Sequence, residues 1–307
     1  DKKMFTNEEK IAEFILYCAV SKNLSDKTVK AYRSDLGNFS RFENDTGLGL
    51  REYLTMLYKT GHKSATIKRH VASLSQYFAY VYKHDRKNNP MNDLDMKIKL
   101  ERSLPKTIPL YDMRKLFSYL YRLKACAASE FGRFQITRDL ALLDLIASTG
   151  IRIGEAAAIR LDDLDMRSRI VLIHGKGRKE RLLYLSCSET LDNLREWLSV
   201  RKKLRPDNDY LFVNRHLCKL SEHGIEDIFR KYRDGAKIAS SSTPHYLRHT
   251  FATNLLANGS DLRSVQELLG HSNISVTERY TEVTTSRKIK VMKRYNYRNN
   301  LLGLSTR

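Results

Sequence analysis

The sequence predicts a mainly α-helical protein of two domains, with a small antiparallel β-sheet in the second. Its 307 residues exceed the usual size of one domain, and a hydrophobic content of 41% is enough for ordinary cores. Apolar residues recur in steps of three and four along most of the chain, as on the buried face of a helix. Two short apolar runs, 170–173 and 182–185, flank a basic, glycine-bearing turn, which is the pattern of a β-hairpin.

Residues 1–100 are predicted to form a helical domain. Four helix starts are expected at the capping box Thr6 to Glu9, at Ser25 or Asp26, at Leu50 and at Ser64. The fourth helix carries one apolar stripe: Ile67, Val71, Leu74, Phe78 and Val81. The opposite face carries Lys68, Arg69 and His70, which form either a solvated charged surface or one that faces phosphates.

A linker is predicted at 101–110, where prolines limit helix formation, and the second domain follows at 111–286. Gly150 ends a buried helix over 137–147, and Arg152 begins the next, which runs to Leu161. After the hairpin, helices are expected at 191–198, 223–236, 245–258 and 261–269, with Gly259 and Gly270 as left-handed caps. The basic tail, 287–307, is either disordered or docked through its apolar residues.

The net charge of +20 favours a polyanionic partner, because each phosphate neutralised by Lys or Arg releases a condensed counterion. The four cysteines are widely spaced and form no CxxC pair, which argues against a zinc site or a disulfide framework. No apolar run reaches 18 residues and no signal-peptide pattern opens the chain, so a cytoplasmic location without a membrane span is expected.

The strongest functional signal is a set of residues suited to phosphodiester chemistry. His245 and Arg248 are three residues apart, so they share one helix face, and Pro244 suits the first position of that helix. Arg152 opens a helix whose N-terminal dipole favours an anion, and His271 follows directly on a helix end. These groups can hold a phosphate and carry protons, so we predict a metal-free site with no cofactor.

Three other motifs suggest different functions, but their signals are weak. Gly175-Lys176-Gly177 lacks the frame of a P-loop. The carboxylates of Asp162, Asp163 and Asp165 could serve a two-metal nuclease, but aspartates in a turn more often cap it or stay solvated. Residues 261–280 could form a helix-turn-helix, in which case His271 is a turn residue.

These motifs together resemble the tyrosine recombinases of the phage-integrase superfamily, and the layout is that of its compact Xer-like members. The resemblance covers nearly the whole chain. It rests on three boxes: Thr149 to Glu155, His245 to His249, and Leu268 to Ser272 followed by Tyr280, nine residues after His271. It implies a C-shaped clamp made of a helical SAM-like core-binding domain and a tyrosine-recombinase catalytic domain.

The resemblance also implies a role for each site residue. Arg152 and Arg248 would bind the scissile phosphate, with Glu155 supporting the arginines. Tyr280 would attack to give a 3′-phosphotyrosyl link, while His245 takes its proton and His271 bonds the phosphate. Lys176 would protonate the leaving 5′ oxygen, although Lys179 and Arg181 lie in or beside the same turn. No ATP is needed, because the ester keeps the bond energy.

The implied partner is double-stranded DNA with a specific site, read as inverted-repeat half-sites by four copies that exchange strands through a Holliday junction. Lys68, Arg69, Arg178 and Lys179 are the candidate DNA-binding residues, and the tail at 287–307 would join neighbouring copies. The implied enzyme is bacterial or archaeal, associated with the nucleoid, and accessory proteins stay possible. Integration or excision of a mobile element, cointegrate resolution and dimer resolution remain open, as do two competitors, a type IB topoisomerase and a non-enzymatic repressor.

Overall fold

The computed structural model describes residues 8–46, 48–94, 106–175, 180–270 and 282–302, with side chains of the last range from 288 onward. The chain divides into two compact units, 1–103 and 104–307. Both are built mainly of helices, and the second contains a three-stranded antiparallel sheet, so the predicted fold class is confirmed. No helix of the described part is both long and apolar enough to cross a membrane.

The N-terminal unit packs four helices around an aromatic core. They are α1 (Glu8–Val20), α2 (Asp26–Thr46), α3 (Leu50–Lys59) and α4 (Ser64–Val81). Ser25 supplies the expected cap of α2, since its Oγ accepts from the Thr28 N–H at 3.3 Å. Ser64 is instead the first residue of α4, and Lys63 is the N-cap, without a side-chain hydrogen bond. Thr6, of the predicted capping box, lies outside the described residues.

One residue of the predicted basic face of α4 is buried, so that part of the prediction is wrong. His70 lies three residues after Ile67 and four before Leu74, which places it beside the apolar stripe. Its Nδ1 lies 3.1 Å from the Tyr53 hydroxyl and its Nε2 lies 3.3 Å from Oδ1 of Asp35. Burial lowers the pKa of His70 below its ordinary value, although the Asp35 carboxylate opposes this.

The two candidate DNA-binding residues of α4 differ in their surroundings. Lys68 is exposed and Arg69 is half-exposed. The Arg69 guanidinium donates to the buried Asp35 carboxylate, which also accepts from the Ser73 hydroxyl at 2.7 Å. Asp35 thereby holds Arg69 in place at the surface of α4.

The C-terminal unit contains the remaining helices and the sheet. Its helices are α5 (Leu110–Cys126), α6 (Glu130–Thr149), α7 (Ile153–Ala158), α8 (Ser188–Leu204), α9 (Glu222–Gly235), α10 (Pro244–Ala257), α11 (Leu262–Leu269) and α12 (Glu282–Tyr295). Helix α6 is buried along most of its length and forms the centre of the unit. Upstream of α5, Ile108 is buried and its N–H donates to the Thr250 hydroxyl at 2.8 Å, so the end of the predicted linker packs with this unit.

The sheet has the order β1 (Leu164–Asp165), β2 (Ile170–His174) and β3 (Glu180–Tyr184), with both pairs antiparallel. The predicted hairpin is therefore present, whereas the two-residue β1 was not expected. Helix α7 is shorter than predicted because the chain becomes extended at Ile159, whose carbonyl accepts from the Leu211 N–H at 2.8 Å.

The acidic turn before the sheet is organised by capping. The Asp163 carboxylate accepts from the Arg160 N–H at 2.8 Å, and Asp165 accepts from the Arg167 N–H at 2.9 Å. Among the described residues, no group of three or more His, Cys, Asp or Glu is arranged to hold a metal ion. Asp163 and Asp165 thus accept backbone hydrogen bonds, as aspartates in turns commonly do.

The described segment 288–302 packs within its own C-terminal unit. Met292 of α12, together with Tyr297 and Leu301 beyond it, is buried in the core of that unit. Arg298 is fully buried and its Nε donates to Oδ1 of Asp144 on α6 at 2.7 Å. Docking of this segment is thus observed within one chain, and its predicted docking on a neighbouring copy remains a proposal.

Candidate active site

The first element of the site is the sharp end of α6. Gly150 has φ +66°, in the left-handed region, and its N–H donates to the Ile146 carbonyl at 2.9 Å. A Cβ atom there would clash with Cδ1 of Phe251, so glycine is required at this position. This turn leads the chain directly into Arg152 and leaves the Gly150 carbonyl facing α10.

Arg152 is the N-cap of α7, and Glu155 three residues later closes a capping box around it. The Arg152 N–H donates to Oε2 of Glu155 at 2.9 Å, and its Nη1 donates to Oε1, also at 2.9 Å. The Arg152 side chain is 44% exposed, while that of Glu155 is only 8% exposed. A buried carboxylate therefore holds a guanidinium that still reaches solvent, next to the N–H groups that begin a helix.

Glu155 is bound from its other side by Arg181 of β3. Nη1 and Nη2 of Arg181 donate to Oε1 and Oε2 of Glu155 at 3.0 and 2.7 Å, which makes the ion pair bidentate. Burial alone would raise the pKa of Glu155, but the hydrogen bonds and charge of Arg181, together with Arg152, hold it below the ordinary value. Glu155 is therefore a carboxylate at neutral pH, and it organises two arginines.

Arg248 is held by two carbonyls at helix ends. Its Nη1 donates to the Gly150 carbonyl at 2.7 Å and its Nη2 donates to the Leu269 carbonyl at 2.8 Å. Burial first, and then the charges of Arg152 and Arg181, lower its pKa to about 10, while Glu155 opposes this shift. The side chain stays charged at neutral pH, and it lies close enough to Arg152 for the two charges to interact.

Helix α10 begins as predicted, with Pro244 at its first position and Thr243 as N-cap. His245 is exposed in the first turn, one turn before His249. The pKa of His249 lies below its ordinary value because of burial and then the charge of Arg248. The structure therefore places His245 and Arg248 on one helix, with Arg248 tied to the turn before Arg152.

Five predicted site residues lie outside the described part of the chain: Lys176, Arg178, Lys179, His271 and Tyr280. Their flanking elements are described. His174 and Glu180 face each other across the two strands on either side of the 176–179 turn. Helix α11 ends at Gly270, which has φ +65° as expected for a left-handed cap.

A histidine that sequence reasoning did not single out lies at the base of that turn. His174 has Nε2 at 2.8 Å from Oδ1 of Asp163 and Nδ1 at 3.1 Å from Oε1 of Glu180. The hydrogen bond with Asp163 is the main cause that raises the pKa of His174 above its ordinary value. The cross-strand pairing of His174 with Glu180 is visible only once the register is known.

The role of Arg181 was also missed, because the sequence suggested it only as another candidate acid in the turn. The available signal was its position on β3, two residues before the buried Leu183 and so on the inward face of the strand. A charged residue on the buried face of a strand needs an opposite charge nearby. Here that charge is Glu155.

Both parts of the chain are similar to known proteins. Residues 123–287 match the model of the phage integrase family, and residues 11–85 match that of the phage integrase N-terminal SAM-like domain. A tyrosine recombinase XerD of Listeria innocua is 36% identical over 305 residues, covering 94% of this chain and 98% of that protein. A tyrosine recombinase of Agathobacter rectalis is 32% identical over 292 residues, covering 92% and 94%.

Solved structures show the same fold. The site-specific recombinase XerH, bound to its palindromic difH substrate after cleavage, gives a TM-score of 0.69 at 22% identity, covering 97% of this chain and 88% of that one. A lambda integrase tetramer bound to a Holliday junction gives a TM-score of 0.64 at 15% identity, covering 89% and 80%.

Proposed function

Because this chain belongs to the phage integrase family of tyrosine recombinases, we propose that the cluster of Arg152, Glu155 and Arg248 is its site of DNA strand cleavage and rejoining. The observation that carries the proposal is the convergence of two arginines. Arg152 is fixed by a buried carboxylate, and Arg248 is tied to the turn that precedes Arg152. The protein is thus a site-specific DNA recombinase, and this cluster is where it would hold a phosphate.

The two guanidinium groups would stabilise the negative charge that builds on the non-bridging oxygens of the phosphate in the transition state. Both arginines are held by hydrogen bonds before DNA binds, so little reorganisation is needed when the charge develops. Their forked donors match the geometry of the non-bridging oxygens. Fixed side-chain charges therefore take the place that metal ions hold in two-metal nucleases.

Tyr280 is the proposed nucleophile. Its Oη bonds to phosphorus while the bond from phosphorus to the 5′ oxygen breaks, which gives a 3′-phosphotyrosyl ester and a free 5′-hydroxyl. His245 takes the tyrosine proton, and His271 bonds the phosphate. Lys176 gives the proton to the leaving oxygen, and attack of a second 5′-hydroxyl reverses the steps.

The DNA partner follows from charge and from what the relatives bind. XerH is bound to a palindromic substrate and lambda integrase forms a tetramer on a Holliday junction, so we extend both properties to this chain. The net charge of +20 suits a duplex. The proposed phosphate contacts are Lys68, Arg69, Arg178 and Lys179. The proposed limits are 1–100 and 111–286 for the two domains, 101–110 for the linker and 287–307 for the tail. A place in the bacterial cytoplasm, on the nucleoid, accords with this activity.

Assembly through the tail would require the segment 288–302 to change its position. It is docked on its own C-terminal unit here, so it has to leave that position before it can join another copy. A second copy of the chain has the same binding surface, so an exchange of the segment 288–302 between copies would keep the same contacts.

Capture of a covalent complex tests the function. The full chain is incubated with short nicked duplexes that tile the DNA flanking its gene, and complexes that survive SDS are counted. We expect complexes with wild type in the presence of a chelator, none with Tyr280→Phe, and wild-type yield with Tyr119→Phe. Tyr119 of α5 is the matched control because it is half-buried against the core, outside the three boxes.

Retention of the complex by Tyr280→Phe would reject the nucleophile. A strict need for magnesium, with no protein on the broken end, would reject the mechanism. Exchange of flanking DNA between two sites separates a recombinase from a topoisomerase, which only relaxes supercoils.

A further inference from the structure

Arg181 makes three side-chain hydrogen bonds beside the proposed site, and the mechanism assigns it no role. It is 7% exposed and lies on the inward face of β3, opposite Ile173 of β2. Besides its two hydrogen bonds to Glu155 of α7, its Nε donates to the Leu268 carbonyl of α11 at 3.1 Å. One guanidinium therefore joins a strand to two helices.

The same guanidinium lies against the end of α11. A Cβ atom on Gly270 would lie 3.1 Å from Cδ of Arg181 and 3.2 Å from its Cζ. Glycine therefore allows the backbone to approach the charged group closely while it takes a left-handed conformation. Gly270 is the last described residue before His271, and it lies against Arg181.

These contacts make Arg181 unsuitable as a proton donor to a leaving oxygen. Its Nε, Nη1 and Nη2 each donate to a described acceptor, and a guanidinium does not give up its proton in proteins. Its neighbours are the residues through which it would act. On one side is Glu155, which holds Arg152, and on the other is the chain that leads to His271.

We propose that Arg181 is a positioning residue. Its forked guanidinium orients Arg152 through Glu155, and it fixes the end of α11, the helix that leads to His271. This inference rests on the proposed function, which assigns the phosphate to Arg152 and His271. Lysine cannot replace the fork, because an ammonium is a point donor without the planar geometry that binds both carboxylate oxygens. The β2–β3 hairpin is thereby tied to the other two catalytic segments.

Single-turnover cleavage separates positioning from folding. Arg181→Lys is compared with wild type for the rate of covalent complex formation on the nicked duplex, and for the dissociation constant of the same duplex. We expect the rate to fall about 10- to 100-fold, since a misplacement near 1 Å costs about that much. The dissociation constant should change less than about threefold, because most phosphate contacts lie elsewhere.

Two further variants make the test specific. Arg201→Lys is the matched control: Arg201 is also buried and donates to the carbonyls of Tyr210 and Asn208, at 2.8 and 2.6 Å, away from the proposed site. Its cleavage rate should stay within about twofold of wild type. Glu155→Gln removes the same ion pair from the other side, and the double variant with Arg181→Lys should lose less than the product of the two single losses.

Three results would overturn the inference: a wild-type rate for Arg181→Lys, an equal loss for Arg201→Lys, or a loss wholly explained by weaker DNA binding. In each of these the wild-type enzyme still cleaves, so the proposed function survives. Absence of a Tyr280-dependent complex in the wild type would instead reject the proposed function, and the inference with it.

Discussion

The buried ion pair between Arg298 and Asp144 yields the sharpest stability prediction. Both side chains are fully buried, and Arg298 donates to the two carboxylate oxygens at 2.7 and 3.1 Å. Its Cζ also lies 4.6 Å from the centre of the Phe117 ring. Arg298→Met leaves a carboxylate buried with the Asn193 amide as its remaining described partner, so the free energy of unfolding should fall by about 3–5 kcal/mol.

The assay uses the single tryptophan of the chain. Trp197 is fully buried in the C-terminal unit and stacks on Phe212 at a centroid distance of 6.3 Å, so its fluorescence reports the unfolding of that unit. Urea titrations of the full-length variants then give the change in free energy at a constant slope. Proteolysis of the segment 288–302 should also become faster, because Arg298 anchors it to α6.

Two controls decide whether the buried charge is the cause. Arg195→Met breaks an exposed pair with Asp192 on α8 and should cost less than about 1 kcal/mol. The double variant Arg298→Met with Asp144→Asn should recover part of the loss, because no charge is then buried alone. A loss below about 1 kcal/mol for Arg298→Met, or no recovery in the double variant, would refute the reasoning.

Three further predictions concern other sites. Gly150→Ala forces a left-handed alanine against Phe251 and should cost about 2–5 kcal/mol in the tryptophan assay; a loss below about 1 kcal/mol would contradict the clash. His174 has a raised pKa in the folded state, so its interaction with Asp163 stabilises the fold fully below the ordinary value of 6.5 and is lost as pH rises through the raised pKa. The melting-temperature gap between wild type and His174→Asn should therefore shrink from about pH 6 to about pH 9, and a constant gap would disprove the assignment. Asp35→Asn should lower the stability of the N-terminal unit by about 1–3 kcal/mol, seen as earlier loss of helical circular dichroism, whereas an unchanged melt would show that the cluster does not matter.

Local patterns predicted the helices and their ends well where the cause was local. Pro244 at the first turn of α10 and the left-handed Gly270 follow from backbone geometry that a few neighbouring residues decide. Arg152, His245 and Arg248 were chosen from their spacing and from their resemblance to a family. The structure adds that Glu155 and the helix-end carbonyls hold the two arginines, and their catalytic roles remain proposals.

The errors arose where distant residues decide the outcome. His70 was assigned to the polar face of α4, but Asp35 on α2 makes a buried position acceptable for it. Helix α7 ends earlier than its sequence pattern predicts because the Ile159 carbonyl accepts from the N–H of Leu211, which is distant in the chain. In both cases the partner comes from another element, and its position cannot be inferred from sequence spacing alone.

The fold class, the basic net charge and the family to which the chain belongs could all be inferred from the sequence alone. These depend on composition, on hydrophobic periodicity and on motifs of a few residues, which are local properties. The tertiary structure was needed to see that Arg181 connects Glu155 to the end of α11 and that Arg298 anchors the segment 288–302 in its own unit. The physical reason is that a buried charge is stable only beside a fixed opposite charge, and folding alone brings such partners together from distant parts of the chain.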